Sequence, residues 1–138
     1  MKPALKWRNG LAKPVVLDAT AILAALFNEQ GSEAVLKVLH LAAVSAVNLA
    51  EVHRYLLNRG VKPNDAWRVL LDLGCEICPF DEQQARFTAE LAASSRKMPL
   101  SFADRACLAL AIARKATVFT IDSAWKNLDL GVDVQVIR

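Results

Sequence analysis

The chain has 138 residues and a mass of 15.1 kDa, a size that suits one domain able to bury a real core. An apolar fraction of 54% with mean hydropathy +0.26 hints that a partner covers part of the surface, but no apolar run approaches the roughly 20 residues of a membrane span. The net charge of +3 is misleading: Lys2, Lys6, Arg8 and Lys13 precede the first strand without any acid, so the rest of the chain is close to neutral and lacks the basic stripe of many nucleic-acid binders.

Residues 1–13 form an N-terminal extension that reads as a flexible arm, a partner contact or a cloning remnant, with Trp7 favouring docking. The stretch PVVLDATAILAALF (Pro14 to Phe27) is the one around which the remaining chain is organised. Consecutive apolar residues Val15, Val16 and Leu17 predict a strand covered on both faces, as in a parallel sheet. Asp18 stands at its exit, where ligands of such sheets bind, and it also suits the N-cap of a helix starting near Ala19. Asp18 interrupts the only segment that could imitate a signal-peptide core, so a cytoplasmic location is expected.

After a loop over Asn28 to Gly31, Val35, Val38, Leu39 and Ala42 recur at helical spacing, and AAVSAV (Ala42 to Val47) reads as a second strand. NLAEVHRYLLNRG follows as a helix with Leu49, Val52, Leu56 and Leu57 on one face, stopped by Gly60. Pro63 and Asn64 reopen a helix to Leu73 carrying Trp67, Leu70 and Leu71, which makes a helical hairpin. CEICPF reads as a strand, placing Cys75 and Cys78 on opposite faces; with no second pair and no nearby His, the three cysteines are expected to be reduced thiols. Asp81 caps a helix to about Lys97, Met98 and Pro99 break it, and LSFADRACLALAIARK forms another with Leu108, Ala109, Ile112 and Ala113 buried. TVFTID and VDVQVIR are strands flanking a turn, SAWKN, whose Trp125 packs under the fourth strand. Strands alternating with helices predict a three-layer α/β domain with a mainly parallel sheet.

Four acids share the setting of a strand exit or a first helical turn: Asp18, Glu51, Asp104 and Asp122. Each has a capping explanation, since Asn48 with Glu51 and Ser101 with Asp104 fit capping boxes and Asp122 fits the cap of the following turn. If the first and fourth strands are neighbours, Asp18 and Asp122 meet at a topological switch point within reach of Glu51 and Asp104, while Asp81 caps a helix elsewhere. Four carboxylates in one crevice need a cation, and an all-oxygen set suits Mg²⁺ or Mn²⁺.

These acids in their contexts, VVLDATAILAALFNEQG, SAVNLAEV, LSFADRACLALA and TIDSAW, resemble PIN-domain nucleases, and among them the VapC toxins of bacterial toxin–antitoxin pairs. The resemblance runs from about Val15 to Ile137 and implies a PIN domain over residues 14–138, with a five-stranded sheet in the order 3-2-1-4-5. It implies a Mg²⁺-dependent endoribonuclease, Mn²⁺ being a possible substitute. Asp18 and Asp104 would be the principal metal ligands, and Glu51 and Asp122 would complete the acidic pocket directly or through water. Thr20, with Thr120 or Asn48, would orient ligands or water. Ala103 stands where related sequences often have Gly.

Arg105, Lys97, Arg96 and Lys126 are candidate RNA contacts by their sequence proximity to the acids, although solvated helix ends explain them equally. His53 does not share a helix face with Glu51 and reads as a surface or partly buried residue, and His40 as a surface residue at a helix end. The helical hairpin is more apolar than one buried face needs, which suits a homodimer contact or a groove for an antitoxin helix. Two alternatives remain: a PIN-like binding module whose acids only cap helices, and a haloacid-dehalogenase-like phosphatase, which would need an Asp where Thr20 stands.

Overall fold

The computed structural model describes residues 13–138. The expectations for Trp7 and the first three cations lie outside the described residues; Lys13 lies inside them and pairs with Asp133. The strands are β1 (Val15–Leu17), β2 (Ala42–Ser45), β3 (Glu76–Cys78), β4 (Thr117–Thr120) and β5 (Asp133–Val136). They pair in parallel throughout, in the order β3-β2-β1-β4-β5, as the family resemblance implied. The helices are α1 (Ala19–Leu26), α2 (Ser32–Val38), α3 (Ala46–Asn58), α4 (Pro63–Asp72), α5 (Glu82–Ser94) and α6 (Phe102–Arg114). Short 3₁₀ turns occupy Leu39–Leu41 and Ser123–Asn127.

Alternation along the strands sends successive side chains to opposite faces and so builds two cores. Val15, Leu17 and Val44 pack with Ile22 of α1, Val35 of α2, Leu49, Val52 and Leu56 of α3 and Leu70 of α4. Val16, Ala43 and Val118 pack with Leu91 of α5, Cys107 to Ala111 of α6 and Trp125. The result is a three-layer α/β/α sandwich. Helix α6 is buried at six consecutive positions, Ala106 to Ala111, as expected of a helix enclosed by sheet and neighbouring helices rather than lying on the surface. No helix of the described residues is long and apolar enough to cross a membrane.

Several local expectations shift. The second strand ends at Ser45, not Val47: Ser45 is extended and its hydroxyl takes the Val47 N–H, so the chain turns helical at Ala46. That makes Ser45 the cap of α3 and places Asn48 inside the helix, which removes the expected Asn48–Glu51 capping box. Ala42 belongs to β2 instead of the preceding helix, and α5 ends at Ser94, short of Lys97. Ala113, in the last turn of α6, is exposed, and Ile112 is half-buried. The cysteines are free; β3 is shorter than CEICPF and begins after Cys75, which packs against the first core while Cys78 lies in the second. In the α3–α4 hairpin Leu56 and Leu70 are core, Leu57 is half-buried, and Trp67 and Leu71 are exposed.

Candidate carboxylate site

Asp18 sits at the end of the central strand, and its N–H donates to the Phe119 carbonyl of neighbouring β4 at 3.2 Å. The cap reading is correct as far as it goes: Oδ1 accepts the Ala21 N–H at 2.8 Å. The same Oδ1 accepts the Thr20 hydroxyl at 2.6 Å, and Oδ2 accepts the Thr120 hydroxyl at 2.6 Å. Thr20 Oγ1 in turn accepts the Ile121 N–H at 3.2 Å, and Thr120 Oγ1 accepts the Asp122 N–H at 3.1 Å. A hydroxyl has one hydrogen, so both threonines commit theirs to Asp18. Asp18 is 5% exposed, and burial raises its pKa. The bonds from Thr120, Thr20 and Ala21 oppose that rise, while the negative charge of Asp104 adds to it.

Glu51 and Asp104 come from two other helices. On α3 the buried Asn48 donates from Nδ2 both to Glu51 Oε1, at 3.1 Å, and to the Ala103 carbonyl of α6, at 3.0 Å. Asp104 forms the predicted capping box of α6: Ser101 N–H donates to Asp104 Oδ2 and Asp104 N–H to Ser101 Oγ, both at 3.0 Å. Ala103 holds its methyl in a nearly buried position and uses its carbonyl for Asn48. One turn after Asp104 lies Cys107, whose thiol pKa is pushed well up by burial and then by Asp18, Asp104 and Glu51. Three of the four acids thus act on one buried thiol. Sequence alone marks Cys107 only as a reduced cysteine; its i+3 spacing from Asp104 is the signal that ties it to the acids.

Asp122 is more loosely attached. It is exposed, caps the following turn by accepting the Ala124 N–H at 3.0 Å, and meets the Asp18 network only through its backbone N–H on Thr120. Asp81 follows edge strand β3, two strands from β1, and caps α5 through Gln84. Among the cations, Arg105 is half-buried and donates to the Thr88 carbonyl at 3.1 Å, which ties α6 to α5. Arg96 and Lys97 are exposed and share a surface groove with Asn127 to Leu130, and Lys126 is exposed in the neighbouring turn. His53 stacks its ring edge-on to Trp67 at 5.4 Å, and His40 is exposed. Neither histidine has a hydrogen bond to the acids among the described residues.

Among the described residues, no three His, Cys, Asp or Glu side chains converge closely enough to hold a metal ion by themselves. Mg²⁺ does not need that many, because it keeps several waters and takes one or two carboxylates. The donors present are hard oxygens, and the buried Oδ1 of Asn48 has no protein donor, leaving an acceptor beside the acids for a water of a hydrated cation. The residues fit Mg²⁺ or Mn²⁺.

The sequence matches the model of the PIN domain family over residues 15–130. No curated protein matches it. Among solved structures, the fold resembles that in VapBC2 from Rickettsia felis bound to a promoter DNA fragment, at 20% identity and a TM-score of 0.68, covering 88% of this chain and 97% of the other. It is similar also to DNA-bound VapBC from Salmonella typhimurium, at 18% identity and a TM-score of 0.69, with 89% and 97% covered. A third likeness is to VapC20 of Mycobacterium tuberculosis, a toxin that cleaves the sarcin-ricin loop, at 14% identity and a TM-score of 0.67, with 86% and 98% covered.

Proposed function

The chain belongs to the PIN-domain family, and from that premise we propose that it is a Mg²⁺-dependent endoribonuclease, the toxin of a toxin–antitoxin pair, working in the cytoplasm. The observation that carries the reading is Asp18: a buried carboxylate at the switch point of a parallel sheet, held by three donors and within the field of Asp104. A residue needed only as a cap is satisfied at the surface by one such bond, as Asp81 is.

Asp18 and Asp104 would hold the cation, with Glu51 and Asp122 completing the pocket directly or through water. When bound, such a cation polarises a phosphoryl oxygen and lowers the pKa of an attacking water. The chain's own contribution is positional. Thr20 and Thr120 fix both oxygens of Asp18 against the exit of β4, and the carboxylates are the groups able to take the water's proton. Arg96, Lys97 and Lys126 present charge for RNA phosphates, and Arg105 has guanidinium N–H groups beyond the one given to Thr88. Residues 14–138 make up the nuclease domain, preceded by the extension 1–13. The structures it resembles include complexes of VapC-type toxins with their antitoxins, and an antitoxin is the expected protein partner here. Exposed Trp67 and Leu71 on α4 and Ile77 on β3 offer it, or a second copy of the chain, an apolar surface.

The purified protein should cut a structured RNA with Mg²⁺ present and stop when EDTA is added. Asp18→Asn should reduce the rate at least 100-fold, on the order of what a lost preorganised charge costs a catalyst. Cleavage by Asp18→Asn at the wild-type rate would overturn the mechanism. A non-catalytic module whose acids only cap helices predicts no cutting by either protein, and it is the second reading because Asp18, Asp104 and Asp122 do each make a capping bond. The phosphatase alternative is disfavoured, since Thr20 fills the place of its second Asp and spends its hydroxyl hydrogen on Asp18.

A further inference from the structure

The acids of the site are not held alike. Asp18 has two threonines and a backbone N–H, and Asp104 has its capping box. Glu51, half-buried on α3, has one side-chain partner among the described residues: Asn48, three residues earlier on the same helix face. Asn48 is 1% exposed, and its Nδ2 bonds both Glu51 Oε1 and the carbonyl of Ala103, the residue before Asp104. Among the described residues it makes the one side-chain hydrogen bond between α3 and α6. Its orientation is fixed, because a flipped amide would set oxygen against two oxygens.

We propose that Asn48 is a positioning residue of the cation site, holding the Glu51 carboxylate toward the first turn of α6 and thereby setting the separation of Glu51 and Asp104 around Asp18. This role rests on the metal-dependent nuclease reading. A free glutamate has three rotatable bonds and a route to solvent from its half-buried place; a hydrogen bond to its charged oxygen selects one arrangement. The second bond of the same amide makes that arrangement track α6. Losing Asn48 frees Glu51 to turn outward and removes the side-chain bond to the Ala103 carbonyl, while Asp18 and the capping box of Asp104 keep their own bonds.

The test is Mn²⁺ binding to the full chain without RNA, read by electron paramagnetic resonance or calorimetry, for wild type, Asn48→Leu and Ser45→Ala. Ser45 caps the same helix at its first turn, so Ser45→Ala reports loss of α3 stability alone. Asn48→Leu should bind Mn²⁺ about 10- to 100-fold more weakly, the loss typical of removing a group that orients a ligand. Ser45→Ala should keep wild-type affinity. RNA cleavage by Asn48→Leu should show a lower kcat with KM for RNA unchanged. If Asn48→Leu does not fold, Asn48→Ser replaces it with the same expectation. Wild-type Mn²⁺ affinity in the folded Asn48 variant overturns the positioning role and leaves the nuclease reading standing. Absence of Mn²⁺ binding by wild type overturns both.

Discussion

At Asp18 two demands oppose each other: burial favours the neutral acid, whereas its three donors favour the carboxylate. Burial wins, and the pKa stands above the usual carboxyl value. A group that binds its proton more tightly in the folded state lowers stability as pH rises from its ordinary value through the raised one, after which the loss is constant. Melting temperature should therefore fall across that acidic window, and Asp18→Asn should flatten this part of the profile. A cation relieves the same buried charge, so Mn²⁺ should raise Tm in wild type, less as pH drops, and not in Asp18→Asn. Thiols give a second residue-scale test. Cys107 is fully buried with its pKa well raised, and Cys78 is pushed up to about 11, so little thiolate exists on either at neutral pH. A disulfide reagent at pH 7.5 should label at most Cys75 rapidly in the native protein and all three cysteines after unfolding. The cap made by Asp18 is legible from its strand-end place, and Thr20 enters through the family resemblance. That Thr120 is its other partner is not derivable from local pattern, because 102 residues separate them and only strand order joins them.

Elements are set by their caps. Ser101 and Asp104 satisfy each other's backbone at the start of α6, so Ser101→Ala should cost about 1 kcal/mol. Chemical denaturation would measure that as a lower midpoint with unchanged slope. Because Asp104 is also a proposed cation ligand, the same variant should weaken Mn²⁺ binding modestly. This capping box is readable from sequence because donor and acceptor lie three residues apart. The end of β2 is not: a short apolar run such as AAVSAV carries no period that separates strand from helix, and Ser45 alone marks the change. The Asn48–Glu51 pair is readable at that spacing too, although as a side-chain contact inside α3 and not as a cap. The second partner of Asn48, the Ala103 carbonyl, is 55 residues away and is met only once α6 packs beside α3.

For the whole molecule, hydrophobic alternation is enough to predict three layers, and the family resemblance supplies the strand order that places Asp18 between β2 and β4. What alternation cannot divide is the α3–α4 hairpin, where apolar residues serve both the core and the surface. Leu71 is 52% exposed, and Trp67, 43% exposed, lines a pocket with Leu49, Leu57 and Ile77. If a second copy covers this face, light scattering should give a dimer mass for wild type and a monomer mass for Leu71→Glu. Its thermal stability as a monomer should stay within about 0.5 kcal/mol, as for other exposed positions.

The same strand order bears on timing. β1 is made early, but its neighbour β4, with Thr120, follows about a hundred residues later, on the order of ten seconds of synthesis. A nascent chain thus carries Asp18 long before it carries the donor that locks its second oxygen. Assembly of the pocket waits for the last strands.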